Sequence, residues 1–362
     1  MVMVVGDTDV VAGRVKTALR DDPGVNLLAG MTDGVAAVSE LRRNRADVVV
    51  LDIGAGERQA LTSIRRILAV APATRVVMAG TLSFTNVKTS MQGLLQGAAE
   101  FITTPADFTR KTTEAEFRDE LMRIVHGLGR ADAAATLGVD ANQHPPDTGH
   151  AVQPMIADAP PLTLRAPGLG PAEVILIGSS TGGPAALMSL VPTLAQALRL
   201  PILIAQHMPA NFTQHLATTL GRKAKCPAAE GQHGESLRPN HIYVAPGGRH
   251  MSLIASEDGP VIALNDDPPI NFCRPSVEPL FASAAELYGR RALAVMLTGM
   301  GQDGIEGARK LVEAGGTLVA QDEATSVVWG MPGAVAQAGL CSAVLPLDDI
   351  AQEVIGLATG KR

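Results

Sequence analysis

Aromatic residues are scarce in this chain of 362 residues: one Trp, two Tyr and seven Phe. Its cores must therefore be built from Ala, Val, Leu, Ile and Met, as suits parallel sheets covered by helices. Cysteine is scarce too. Cys226, Cys273 and Cys341 lie far apart with no CxxC or zinc-ligand spacing, which argues against a disulfide framework or a metal centre and fits a reducing compartment. No basic block is present and the formal net charge is −6, so sequence-independent nucleic-acid binding lacks its positive footprint. No apolar run reaches the length of a membrane span, and residues 1–6 lack the layout of a signal peptide. The expectation is a soluble, cytoplasmic protein that is not membrane-inserted. The length allows two domains of ordinary size.

What is present divides into three parts. Over residues 1–128, short apolar runs at 2–5, 26–30, 47–51, 75–79 and 100–103 alternate with helical patterns at 10–20, 34–43 and 60–69. That alternation predicts a five-stranded parallel sheet with helices on both faces, closed by a helix over 114–128. Residues 129–170 are dominated by Ala, Pro, Gly and Asp with no apolar period, and read as a linker. From 171 to 362 buried-type strands recur at 174–178, 201–206, 292–298 and 317–321 between helical segments, predicting a doubly wound α/β domain. Short strands around 242–244, 251–254 and 261–264, set between turns, suggest a β-hairpin insertion.

The stretch Val174-Ile-Leu-Ile-Gly-Ser-Ser-Thr-Gly-Gly-Pro184 runs a strand straight into three hydroxyls and a double glycine. Such a turn lies at the carboxyl edge of the sheet, near the positive end of a helix dipole. By itself it is compatible with a packing turn, a phosphate cradle or a serine nucleophile. Two other strands end on the partners that a serine would need: one on His207, the other on Gly299-Met-Gly-Gln-Asp303. An imidazole can take the serine proton, and a carboxylate behind it fixes the tautomer and stabilises its charged form. Each has a plainer role open to it, His207 as a structural histidine and Asp303 as a helix N-cap. His250 is the rival base. A dinucleotide-binding turn would call for an acid at the end of the second strand, where Gln206-His207 stand instead.

Six motifs occur in an order that resembles the chemotaxis response-regulator protein-glutamate methylesterases, the CheB family: Gly178-Ser-Ser-Thr-Gly-Gly183, Gln206-His-Met-Pro209, Ala245-Pro-Gly-Gly-Arg-His-Met251, Arg274-Pro-Ser276, Leu297-Thr-Gly-Met-Gly-Gln-Asp-Gly304 and Gly330-Met-Pro332. The resemblance implies Ser180 as nucleophile, His207 as base and Asp303 as orienting acid, with the backbone near Thr181 and Met300 binding the oxyanion. It implies hydrolysis of glutamyl methyl esters on chemoreceptors with release of methanol, deamidation of receptor glutamines by the same route, and no cofactor or metal for catalysis. Arg274, Ser276 and His250 become candidates for the substrate cleft. Cys273 stands where the family usually has His.

The resemblance extends to an N-terminal receiver domain, a five-stranded flavodoxin-like unit that would meet a histidine kinase or another signalling protein. Asp52, after the third expected strand, matches the phospho-accepting aspartate. The acidic pair that would hold Mg²⁺ is reduced to Gly6-Asp7, the hydroxyl after the next strand is Gly80, and the expected lysine is Thr104. Fewer carboxylates weaken a hard-cation site, and loss of the lysine removes a phosphoryl partner. Phosphorylation at Asp52 and Mg²⁺ binding are therefore expected to be impaired, with compensation by Asp9 or Thr81 as the alternative.

Overall fold

The computed structural model describes residues 1–6, 11–28, 30–54, 56–81, 83–104, 114–136, 162–168 and 170–360. Asp7 and Asp9, and most of the expected linker, lie outside them. The N-terminal part runs β1 (Val2–Val5), α1 (Val11–Arg20), α2 (Gly34–Leu41), β2 (Val48–Asp52), α3 (Glu57–Val70), β3 (Arg75–Gly80), α4 (Phe84–Leu95), β4 (Glu100–Thr103) and α5 (Glu114–Thr136). The strands pair in parallel in the order β1-β2-β3-β4. Side chains alternate between two apolar clusters, Val2 and Val4 on one face and Met3 and Val5 on the other, as the two-residue period of a strand requires.

Two expectations need correction here. The sheet has four strands rather than five. The segment expected as a strand at 26–30 runs along the outer edge of β1 and joins it through isolated bridges at Leu27 and Met31. An edge segment pairs on one side only, and Gly30 supplies no side chain to hold it to the sheet. The last helix extends to Thr136 instead of ending near 128. The Ala-rich stretch after Arg130 has no apolar period, yet alanine is the best helix former and continues the helix on propensity.

The C-terminal part comprises β5 (Val174–Ser179), α6 (Gly183–Ala197), β6 (Ile202–Gln206), α7 (Phe212–Ala224), β7 (Ala228–Glu230), β8 (Ile242–Val244), β9 (His250–Ile254), β10 (Val261–Asn265), α8 (Val277–Tyr288), β11 (Ala292–Met296), α9 (Ile305–Glu313), β12 (Thr317–Gln321), α10 (Met331–Gln337), β13 (Ala343–Leu345) and α11 (Leu347–Thr359). Seven strands form one parallel sheet in the order β13-β12-β11-β5-β6-β8-β7. Residues 242–244 belong to this sheet, so the hairpin consists of β9 and β10 alone, paired antiparallel. Leu176, Leu203 and Ala294 face one core, and Ile175, Ile204 and Val295 the other. The chain crosses from one half of the sheet to the other at β5, so the ends of β5, β6 and β11 open a shared crevice.

Candidate active site

Gly182 caps α6 in the left-handed region at φ 78°, where a Cβ would meet the side chains of Val327 and Thr298. This conformation turns the chain sharply after β5 and leaves Ser180 at the sheet edge. The Ser180 N–H donates to Thr298 O at 3.0 Å, and the Gln206 amide donates to Ser180 O at 2.9 Å and His207 O at 3.2 Å. Gln206 thus ties together the ends of the two strands that carry the serine and the histidine.

His207 and Asp303 meet. The imidazole Nε2 lies 2.8 Å from Asp303 Oδ2. Asp303 does not cap the helix that follows it, since the cap of α9 is Gly304. Its carboxylate instead collects three further donors from the start of α8 and the loop before it: Val277 N–H at 2.7 Å, Ser276 Oγ at 2.7 Å and Asn271 Nδ2 at 3.0 Å. Burial works against the charge on Asp303, but the bond to His207 and those from Asn271 and Val277 hold its carboxyl below the usual range. Burial likewise works against a charged His207; the carboxylate and the Cys273 thiol outweigh it and push the imidazole up to about 9.

With Nε2 facing Asp303, the other ring nitrogen is Nδ1. It lies 3.3 Å from Cys273 Sγ. Among the described residues no hydrogen bond engages the Ser180 hydroxyl, nor the backbone N–H of Thr181 or Met300. His250 is buried, with Nδ1 accepting from Ser276 N–H at 3.2 Å and Nε2 3.1 Å from Pro268 O. Arg274 donates to the carbonyls of Asp266 and Asp267 at 3.0 Å each and braces the loop before α8. His250, Ser276 and Arg274 thus all bond to the protein itself. Asn271 was not singled out by sequence; its role depends on a loop closing back from 271 to 303, and no local pattern marks it. Glu278 was also missed. It accepts from the N–H groups of Gly304 and Gly307, fixing the turn that carries Asp303.

The N-terminal part lies directly on this crevice. Gly182 N–H donates to Ala99 O at 3.1 Å, and Thr181 Oγ1 to Glu100 Oε2 at 2.7 Å. Phe101 of β4 stacks on Phe212 of α7 with ring centroids 5.0 Å apart. Arg123 of α5 lies 3.2 Å from the Met300 sulfur. In the receiver-like part, Asp52 is buried at the end of β2 and accepts from Gly54 N–H at 2.7 Å. A Cβ on Gly6 would lie 2.6 Å from Asp52 Cβ, and the Thr104 hydroxyl is buried without a partner among the described residues. Among the described residues no cluster of three His, Cys, Asp or Glu could hold a metal, and no helix is long and apolar enough to cross a membrane.

Fold and site define a class: a receiver-like domain set against a parallel α/β domain with serine, histidine and aspartate at adjoining strand ends. Residues 175–354 match the CheB methylesterase family model, and residues 2–115 that of the response regulator receiver domain. A protein-glutamate methylesterase/protein-glutamine glutaminase of a group 2 operon in Rhodopseudomonas palustris is 44% identical, over 100% of this chain and 95% of its own. The protein of that activity from Azospirillum brasilense is 46% identical over 96% of this chain and 90% of its own. The crystal structure of the Thermotoga maritima CheB methylesterase catalytic domain, 39% identical, covers 52% of this chain and 100% of that one with a TM-score of 0.50. The chain belongs to the CheB family of protein-glutamate methylesterases.

Proposed function

We propose that the protein hydrolyses glutamyl methyl esters on chemoreceptors and deamidates receptor glutamines by the same route, as its relatives are named for doing. The supporting observation is the His207–Asp303 pair, 2.8 Å apart and anchored by three further donors, beside a serine whose hydroxyl is uncommitted. Ser180 Oγ attacks the ester carbonyl while His207 Nδ1 takes its proton. Asp303 holds Nε2 protonated and stabilises the imidazolium. The backbone N–H groups of Thr181 and Met300 bind the oxygen as it becomes negative. The proton then passes from His207 to the departing methoxide, giving methanol and an acyl-enzyme. Water, activated by the same imidazole, releases the glutamate; with a glutamine substrate the leaving group is ammonia.

The receiver-like domain acts here as an inhibitory module. Ala99 and Glu100 hold the nucleophile turn, and Arg123 reaches the residue that carries one oxyanion donor. Its residues do not fit a Mg²⁺ site built on an acidic pair, because position 6 offers no carboxylate and has no room for one. Asp52 is accordingly not an efficient phosphoryl acceptor, and relief of inhibition comes from a protein partner, a kinase or another signalling protein. Two experiments test the reading. Methanol release from methylated receptor membranes should be measurable with the full chain and abolished by Ser180→Ala; equal release from both proteins would refute the assignment. Intact mass after incubation with acetyl phosphate and Mg²⁺ should show no stoichiometric phosphoryl adduct, and a full adduct on Asp52 would refute the second part.

A further inference from the structure

One residue beside the crevice has no part in the chemistry at Ser180. Phe272 is 99% exposed, beyond any other exposed large hydrophobic side chain among the described residues. It sits at the tip of a two-residue turn closed by paired backbone hydrogen bonds between Ile270 and Cys273, at 3.1 and 2.8 Å. Both central residues are left-handed, Asn271 at φ 51° and Phe272 at φ 64°. Asparagine tolerates that conformation, whereas a bulky aromatic adopts it against a steric penalty that glycine would avoid. The turn is fixed at both ends. Asn271 donates to Asp303, and Cys273 lies against His207. The chain therefore holds a phenyl ring in water, in an unfavourable backbone conformation, one residue from the thiol that touches the base.

A groove of about 410 Å³ begins beside the turn. Ile270, Pro279 and Ala282 supply apolar walls, and Glu306 and Lys310 stand at its margin. The described residues of the receiver-like domain contact the catalytic domain at Thr181 and Phe212, and Phe272 is left fully exposed.

We propose that Phe272 and the adjoining groove are the docking surface for the protein substrate, with the ring packing on an apolar side chain next to the glutamyl methyl ester. The proposal rests on the methylesterase reading above and names how that site selects a protein over a free ester. The occupant follows from the turn's connections. A segment that brings its carbonyl to Ser180 beside His207 Nδ1 passes over the turn braced on His207 and Asp303. An exposed aromatic next to a concave apolar surface is the usual form of a binding anchor.

The test compares two substrates with the full-length protein: methylated receptor membranes and the γ-methyl ester of N-acetylglutamate, which carries no neighbouring apolar side chain to pack on the ring. Phe272→Ser should raise KM for the receptor by about ten- to a hundredfold with kcat little changed, the effect of losing one buried aromatic contact. Kinetics on the small ester should move less than about twofold. Phe272→Leu, which restores an apolar surface, should recover most of the loss. An unchanged receptor KM in Phe272→Ser, or equal losses on both substrates, would overturn the proposal. So would a wild-type dimer that Phe272→Ser dissolves, since the ring then serves contact between two copies. A wild-type chain that releases methanol from neither substrate overturns the methylesterase reading itself, a result distinct from any of these.

Discussion

Replacing Asp303 by asparagine separates the two roles of this carboxylate, because the structure dictates how the amide must sit. Oδ2 faces Val277 N–H and His207 Nε2, while Oδ1 faces Ser276 Oγ and Asn271 Nδ2. Val277 N–H is a backbone donor and cannot adapt, so the amide oxygen takes the Oδ2 position. On the other side, the Ser276 hydroxyl can rotate to accept and the Asn271 amide can turn to present its oxygen. The His207 tautomer is therefore preserved in Asp303→Asn and only the charge is lost. A unit charge about 4 Å from the imidazolium, at an effective dielectric of about 20, is worth about 4 kcal/mol, and the neutral hydrogen bond that remains recovers part of it. The expected loss in kcat is on the order of 10²- to 10³-fold. Asp303→Ala, which also frees the tautomer, should cost on the order of 10⁴-fold. Burial would then meet a weaker counter-effect, so the His207 pKa should fall from about 9 in Asp303→Asn. The assays are methanol release and an NMR titration of the His207 ring. A kcat within about fivefold of wild type, or a His207 pKa that does not fall, would refute the electrostatic argument.

Three further outcomes follow from the same geometry. Cys273 supports the charged imidazole through its contact at 3.3 Å, so Cys273→Ala should lower the His207 pKa and move the acid limb of kcat/KM to lower pH; an unchanged or raised limb would exclude the contact as its cause. Phe212 packs into the receiver-like cluster with Phe101 and Val87, so Phe212→Ser should weaken the docked state by about 3 kcal/mol and raise basal methanol release at least tenfold, whereas a lower rate would show that docking does not inhibit. Because the His207 pKa is raised from 6.5 to about 9 on folding, its contribution of about 3 kcal/mol is present below pH 6.5 and lost as pH rises through 9. Urea denaturation across that window should show the decline in wild type and a shallower one in Asp303→Asn.

The elements most visible in the sequence are those whose signal is local. The strands at 174–178 and 292–296 are unbroken apolar runs because both faces are buried, and the placement of Ser180, His207 and Asp303 after β5, β6 and β11 follows from the rule that parallel strands open their crevice at the carboxyl edge. The strands at 228–230 and 343–345 escaped because three residues at a sheet edge carry too short and too mixed a pattern to register. Around Asp303, Asn271 and Val277 escaped for a different reason, and Ser276, expected in the substrate cleft, instead bonds the carboxylate. Asn271, Ser276 and Val277 converge on it from a segment some thirty positions away, so their roles exist only once the tertiary fold brings α8 and α9 together.

The contacts of Glu100 with Thr181 and of Phe101 with Phe212 show where such reading stops and what takes its place. Within the receiver-like domain, Glu100 is an acid opening a strand and Phe101 a core aromatic, and nothing nearby marks either as special. Both acquire a second meaning only against the catalytic crevice. Burial between the domains pushes the Glu100 carboxyl up, and the Thr181 hydroxyl partly offsets this by donating to it. That buried acid sits on the Thr181 side of the nucleophile turn, so the proposed control at the domain interface predicts that Glu100→Gln changes basal methanol release. The nucleophile turn is then read by two surfaces at once. One is the receiver-like domain on the Thr181 side; the other is the exposed Phe272 turn, whose Cys273 lies against His207.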